Sequence, residues 1–119
     1  MFEFTDLTRD NVIAFKVEGK VAAKDYEKLT PLIKKLEREN KPVRLFIRIV
    51  SIDGITPRAM LKDITAYIRH ARHVERVAVV GEGDYAEGLW VRMADPFMKA
   101  KVKYFPLEEI ETAENWIKQ

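Results

Sequence analysis

RIVSIDGITPRAML, residues Arg48 to Leu61, runs from an apolar extended segment through a polar turn into a helix. Upstream, VRLFIRIV (Val43 to Val50) alternates. Val43, Leu45, Ile47 and Ile49 face one way, and Arg44, Phe46, Arg48 and Val50 the other, which is the two-residue period of a strand. Downstream, Thr56-Pro57 has the form of an N-cap followed by proline at the first helical position, where the missing N–H costs nothing. Met60, Leu61, Ile64, Tyr67, Ile68 and Ala71 then fall on one face of a helix. A strand that ends in a polar turn and launches a helix begins a crossover unit.

Working outward, the same unit recurs. VIAFKVE (Val12 to Glu18) alternates with Ile13, Phe15 and Val17 on one side, and Gly19 breaks the pattern. Met1 to Thr5 is expected to pair with it as an edge strand through a turn at Arg9-Asp10-Asn11. Ala22 to Asn40 carries an apolar helical stripe of Tyr26, Leu29, Ile33 and Leu36. Pro31 inside it removes the bond to the carbonyl of Glu27, so a kink or break is expected there. Ala22 stands where a threonine or serine cap would help, a loss of about 1 kcal/mol. Asn40 and Pro42 end the helix.

Beyond the central helix, RVAVVG (Arg76 to Gly81) is apolar on both faces, as a buried parallel strand is. Asp84 is expected to cap a third helix through Met93. Val102 to Phe105 reads as a short last strand, and Leu107 to Ile117 as a terminal helix with Leu107, Ile110, Ala113, Trp116 and Ile117 inward. Alternating strands and helices of this kind predict an α/β fold, a mostly parallel sheet of four to five strands with right-handed crossovers.

Bulk properties bound the function. A chain of 119 residues, with no linker or repeat, fits a single domain over residues 1–119 with its own core. A net charge of +2 gives no basic face for a duplex, so nucleic acid is not an expected partner. The absence of cysteine excludes disulfides, thiolate metal sites and cysteine nucleophiles. No apolar run approaches the roughly 18 residues that span a bilayer. The N-terminus lacks the basic start and apolar block of a signal peptide, so a cytoplasmic location is expected.

Several constellations have simple structural readings. GEGDYAEG (Gly81 to Gly88) follows a strand, but its spacing is G-x-G-x4-G, and Glu82 and Asp84 would repel a pyrophosphate. RHARHVER (Arg69 to Arg76) gathers cations at a helix end, where they complement the dipole. His70 and His73 lack the further ligands of a metal motif. No G-x-S-x-G motif is present. Glu108, Glu109, Glu111 and Glu114 suit the first turns of a helix as a solvated face. No cofactor, metal or catalytic set is expected, and the chain does not read as an enzyme.

Two candidate surfaces remain. In open parallel sheets function collects at the carboxyl ends of strands. That places Ser51, Asp53, Gly54, Thr56 and Arg58 in a candidate interaction site. The helix YAEGLWVRMADPFM (Tyr85 to Met98) is apolar on more than one side. Its Trp90, Met93 and Phe97, with Tyr104, form a candidate apolar ligand or dimer surface.

NVIAFKVEGKV, DYEKLTPLI, VRLFI, GITPRAMLKDI, VERVAVVG and KYFPLEEIETAENWI, in this order, resemble the SpoIIAA-like family, whose members are STAS/SEC14-like domains. The resemblance covers most of the chain. It implies a small α/β fold with helices mainly on one face of a largely parallel sheet. STAS relatives include anti-anti-sigma factors switched by phosphorylation of a serine directly after an aspartate at the second helix. Asp53 fills the aspartate place and Gly54 stands where the serine would be, which argues against that switch. Relatives of the SEC14 type bind lipid in an apolar cavity. The expected role is a non-enzymatic regulatory or protein-interaction module of the STAS type that docks through the Ser51–Thr56 turn, with a protein partner or self-association as a homodimer. The alternative is a carrier of a small apolar or lipid ligand.

Overall fold

The computed structural model describes residues 1–67, 74–82 and 101–119. Its elements are β1 (Phe2–Phe4), β2 (Val12–Val17), α1 (Ala23–Glu27), α2 (Thr30–Arg38), β3 (Val43–Ile49), α3 (Pro57–Tyr67), β4 (Val74–Gly81), β5 (Lys101–Pro106), a 3₁₀ turn (Leu107–Glu109) and α4 (Ile110–Lys118). The strands form one five-stranded sheet in the order β1-β2-β3-β4-β5. β2 to β5 run parallel, and β1 is antiparallel to β2. The mixed, mostly parallel sheet follows from the alternation of strand and helix.

Neighbouring parallel strands that follow one another in sequence place their right-handed crossovers on the same side of the sheet. α1 and α2, between β2 and β3, therefore share a face with α3, between β3 and β4. Ile13, Phe15, Val17, Leu45, Ile47, Ile49, Val77 and Val79 meet Leu29, Ile33, Leu36, Met60 and Ile64 there. The opposite face is covered by α4: Val12, Ala14, Phe46, Ala78, Val80 and Phe105 pack on Ala113, Trp116 and Ile117. With both faces covered, Val77 to Val80 are all buried, which explains an apolar run in place of alternation.

Pro31 breaks the first helical stretch. α1 ends at Glu27, and α2 begins at Thr30 with proline in its first turn, where its ring is tolerated. Asn40 closes α2 with φ at 57°; its N–H bonds to Glu37 O and the Lys41 N–H to Leu36 O. That pair of bonds satisfies carbonyls left over at the helix end. Tyr67, expected on the same face of α3 as the buried Met60 and Ile64, is 41% exposed, with its hydroxyl 2.5 Å from Thr30 Oγ1. Tyr26 donates to Asp63 Oδ2 at 3.1 Å, so two hydroxyls tie α1 and α2 to α3. Burial, followed by the Asp63 hydrogen bond and charge, pushes the Tyr26 phenol up to about 12.

Arg76, the last residue of the cationic run RHARHVER and the first of the expected strand RVAVVG, lies on β4, where it serves the terminal helix. Its Nη1 donates to Trp116 O at 2.8 Å, and Arg44 Nη1 donates to Ile117 O at 2.8 Å. Two sheet arginines thus cap the last carbonyls of α4, and Trp116 O also accepts from the Gln119 N–H at 3.2 Å. The Arg76 guanidinium also lies 5.1 Å from the Trp116 ring centre, and Lys103 Nζ 5.2 Å, both within cation–π range. The terminal helix is shorter than expected because Leu107–Glu109 form a 3₁₀ turn, and Leu107 and Ile110 are only half-buried.

The uncapped start of α1 has a substitute. The Asp25 carboxylate reaches back to the N–H of Ala22 at 2.8 Å, the reciprocal half of a capping box. It also accepts from the N–H of Phe2 at 3.2 Å. Burial alone would raise this carboxyl. The two N–H donors, the N-terminal amine and Lys28 outweigh it and hold the group below its ordinary value.

Asp25→Ala is expected to cost about 2–3 kcal/mol, because it strands two N–H groups that a charged acceptor satisfied. The pH dependence has a definite sign. With its folded value depressed, the carboxylate contributes fully above the ordinary carboxyl range near about pH 4 and loses that contribution as pH falls through the lower folded value. Urea titrations of the native chain and Asp25→Asn should show a stability gap at neutral pH that closes in acid.

Candidate functional site

The carboxyl ends of β2, β3 and β4 lie level, with Val17 beside Ile49 and Ile49 beside Gly81. Past this row the chain turns at Gly19 and again at Ser51–Thr56. The two turns are laced together. Ser51 N–H donates to Val17 O at 3.2 Å, Gly19 N–H donates to Ser51 Oγ at 3.0 Å, and Asp53 N–H donates to Gly19 O at 3.0 Å. Lys20 and Asp53 complete an isolated parallel bridge. Gly19 has φ at +67°, a backbone that a side chain makes costly.

Ile52 and Ile55 anchor the turn from below by packing against the core. Between them Asp53 and Gly54 are exposed, and Ser51 and Thr56 stand exposed at either side. Gly54 has φ at +77°, with nothing within 4 Å of the place its Cβ would occupy. The backbone conformation calls for glycine there, and the space beside it is open. Thr56 Oγ1 accepts from the N–H of Ala59 at 3.1 Å, the N-cap bond expected of it. Pro57 is buried behind it, and Arg58 stands in the first turn of α3.

Four of the candidate interaction residues, Ser51, Asp53, Gly54 and Thr56, thus share one turn on the outer rim of the sheet. Ser51 has a duty that sequence did not disclose: its hydroxyl oxygen holds the Gly19 turn against β3. The available signal was the glycine immediately after a strand, since two successive parallel strands must both turn at the same end.

The apolar candidates do not come together as a described group. Trp90, Met93 and Phe97 lie outside the described residues, as do the helix expected from Asp84, the glycine pattern beyond Glu82 and the His70–His73 pair. Tyr104 is described and buried, on the face that carries α1 to α3. Its hydroxyl donates to Gly81 O at 2.7 Å. Burial first, and Glu108 second, raise its phenol. Gly81 is small for a reason visible here: a Cβ would sit 3.2 Å from the Tyr104 hydroxyl and 3.6 Å from Ile49 Cβ.

Chemically, the turn offers hydroxyls and a carboxylate, all in solvent. Among the described residues no group of three or more His, Cys, Asp or Glu side chains could hold a metal ion. Among them, too, no helix is long and apolar enough to cross a membrane.

Tyr104→Phe should lower stability by about 1–2 kcal/mol by leaving the buried Gly81 carbonyl without its donor, whereas Thr56→Ala should cost about 1 kcal/mol through its lost cap. Thermal and urea unfolding of the two variants provides the check.

A family model described as SpoIIAA-like matches residues 12–118. Among solved structures, the chain is similar to an uncharacterized protein of the DUF3478 family with a SpoIIAA-like fold from Shewanella loihica PV-4, determined by crystallography at 2.25 Å resolution. The TM-score is 0.67 at 28% identity, over 98% of this chain and 92% of that one. No protein with a curated description matches the chain. The five-stranded mixed sheet, its covering helices and the family match over residues 12–118 agree: the chain belongs to the SpoIIAA-like family.

Proposed function

We propose that the protein is a non-enzymatic regulatory or protein-interaction module of the STAS type, which docks a partner on the Ser51–Thr56 turn and the first turn of α3. The observation that carries this reading is the construction of the turn. Backbone and side-chain bonds to Gly19, and the packing of Ile52 and Ile55, hold it in place while its polar residues stay exposed. A preorganised surface loses little conformational freedom on binding, so more of its contact energy appears as affinity.

The groups on offer describe the partner. Ser51 and Thr56 use their oxygens as acceptors within the fold, and each keeps its O–H to donate. The Asp53 carboxylate is exposed and accepts only. A complementary surface brings carbonyl acceptors to the hydroxyls and a cationic or N–H donor to Asp53. Membership of a family of STAS-type domains supports the same reading, since domains of this kind are generally protein-interacting modules. Docking then proceeds without covalent chemistry.

Asp53→Arg and Thr56→Glu provide the test. Asp53 is exposed, so Asp53→Arg should change stability by no more than about 0.5 kcal/mol. Proteins captured by the immobilised native chain should be lost from both variants, with affinities at least about tenfold weaker by titration. Equal capture by all three chains would defeat the proposal. Native mass spectrometry separates this role from carriage of a small apolar or lipid ligand: a bare mass is expected, and a retained lipid would favour the carrier.

A further inference from the structure

β1 lies at the edge of the sheet, so one side of its backbone faces away from β2. Met1 and Glu18 exchange both backbone bonds, at 2.7 and 3.0 Å, and Thr5 N–H donates to Ala14 O at 2.9 Å. Bonded pairs alternate with unbonded ones along an antiparallel ladder. Phe2 and Phe4, opposite Val17 and Phe15, therefore hold the unbonded positions and turn their N–H and C=O groups outward. A row of such groups is a template on which another strand can pair.

Phe2 is not open to that pairing. Its N–H donates to Asp25 Oδ1 at 3.2 Å, and its C=O accepts from Lys28 Nζ at 3.3 Å. The two side chains meet one another at 3.6 Å. Among the described residues, Asp25 is the one charged residue that is buried, at 2% exposure. A carboxylate in that position is costly unless it is well hydrogen-bonded, and capping α1 alone would not require it to reach the strand. Phe4 lacks such cover. Its side chain is 37% exposed, and no described residue outside the sheet bonds its N–H or C=O.

We propose that Asp25 and Lys28 form an edge clip: by occupying the outward N–H and C=O of Phe2, they keep β1 from pairing with the β1 of a second copy of the chain. A second copy is the strand that fits. Antiparallel pairing about a two-fold axis through Glu3 sets Phe2 opposite Phe4 of the other copy, twice over. Each such pair matches both N–H groups to carbonyls and brings phenylalanine rings together on one face. Glu3 then meets its own equivalent, a like-charge pair that disfavours the register. Lys16, beside Glu3 on β2, offsets only part of it. The edge is thus guarded by the clip and by charge.

Lys28 and Glu3 are exposed, so Lys28→Ala combined with Glu3→Gln removes no core side chain. It frees the Phe2 carbonyl to accept from the Phe4 N–H of a second copy and abolishes the like-charge pair, while Asp25 stays on the Phe2 N–H. Sedimentation should show this variant self-associating at least about tenfold more tightly than the native chain, with amide exchange at Phe4 slowing as concentration rises. Adding Phe4→Pro removes an N–H that the sheet does not use, and should return association to the native level. In the native chain the Phe2 amide should exchange at least about tenfold more slowly than that of Phe4. Association unchanged by Lys28→Ala with Glu3→Gln, or raised without protection of Phe4, overturns the proposal. So does a Phe2 amide that exchanges as fast as Phe4 in the native chain.

Discussion

Parallel pairing of β3 between β2 and β4 is the constraint on which the other features depend. β3 bonds to β2 along Val12–Val17 and to β4 along Val74–Gly81, and its Leu45, Phe46 and Ile47 are buried on the two faces. Parallel neighbours cannot be joined by a tight hairpin, so each connection must climb over the sheet. The handedness of those crossovers sends α1, α2 and α3 to one side. That leaves the other face, with Val12, Ala14, Phe46, Ala78 and Val80, to be covered from elsewhere in the chain. α4 provides that cover.

α4 is held by more than apolar contact. Its last carbonyls face Arg44 and Arg76, neighbours across the β3–β4 ladder. Two like charges side by side would be unfavourable alone. Here the negative end of a helix lies against both, and Glu75 accepts from Arg44 Nε at 2.8 Å. Trp116, 5.1 Å from Arg76 and 5.2 Å from Lys103, adds its ring face to the same arrangement. Burial and electrostatics therefore set the position of this helix together.

Parallel strands also decide where the exposed polar turn lies. Because β2 and β3 end level, Gly19 and Ser51 meet, and the two turns brace one another through backbone bonds. Ile52 and Ile55 point into the core while Asp53 and Gly54 point out. The result is a rim whose shape is specified from beneath, which suits recognition by contact.

Much of the architecture was legible from residue order. The two-residue period of Val43 to Ile49, the apolar run of β4, the Thr56-Pro57 helix start and the helix break at Pro31 each depend on neighbours a few positions away. Local periodicity and backbone sterics settle such features before any tertiary contact forms. The candidate turn was likewise visible as a polar segment between a strand and a helix. What sequence could not disclose were contacts between distant residues: Ser51 with Gly19, Arg44 and Arg76 with the end of α4, Tyr104 with Gly81, and Asp25 with the edge of β1. Each joins groups separated by many residues, and only the assembled sheet brings them within hydrogen-bond distance. The sequence by itself thus determined the alternation and the faces of the elements. Tertiary structure alone decided which polar groups would be buried together, because hydrogen bonding needs a position in space that no local pattern encodes.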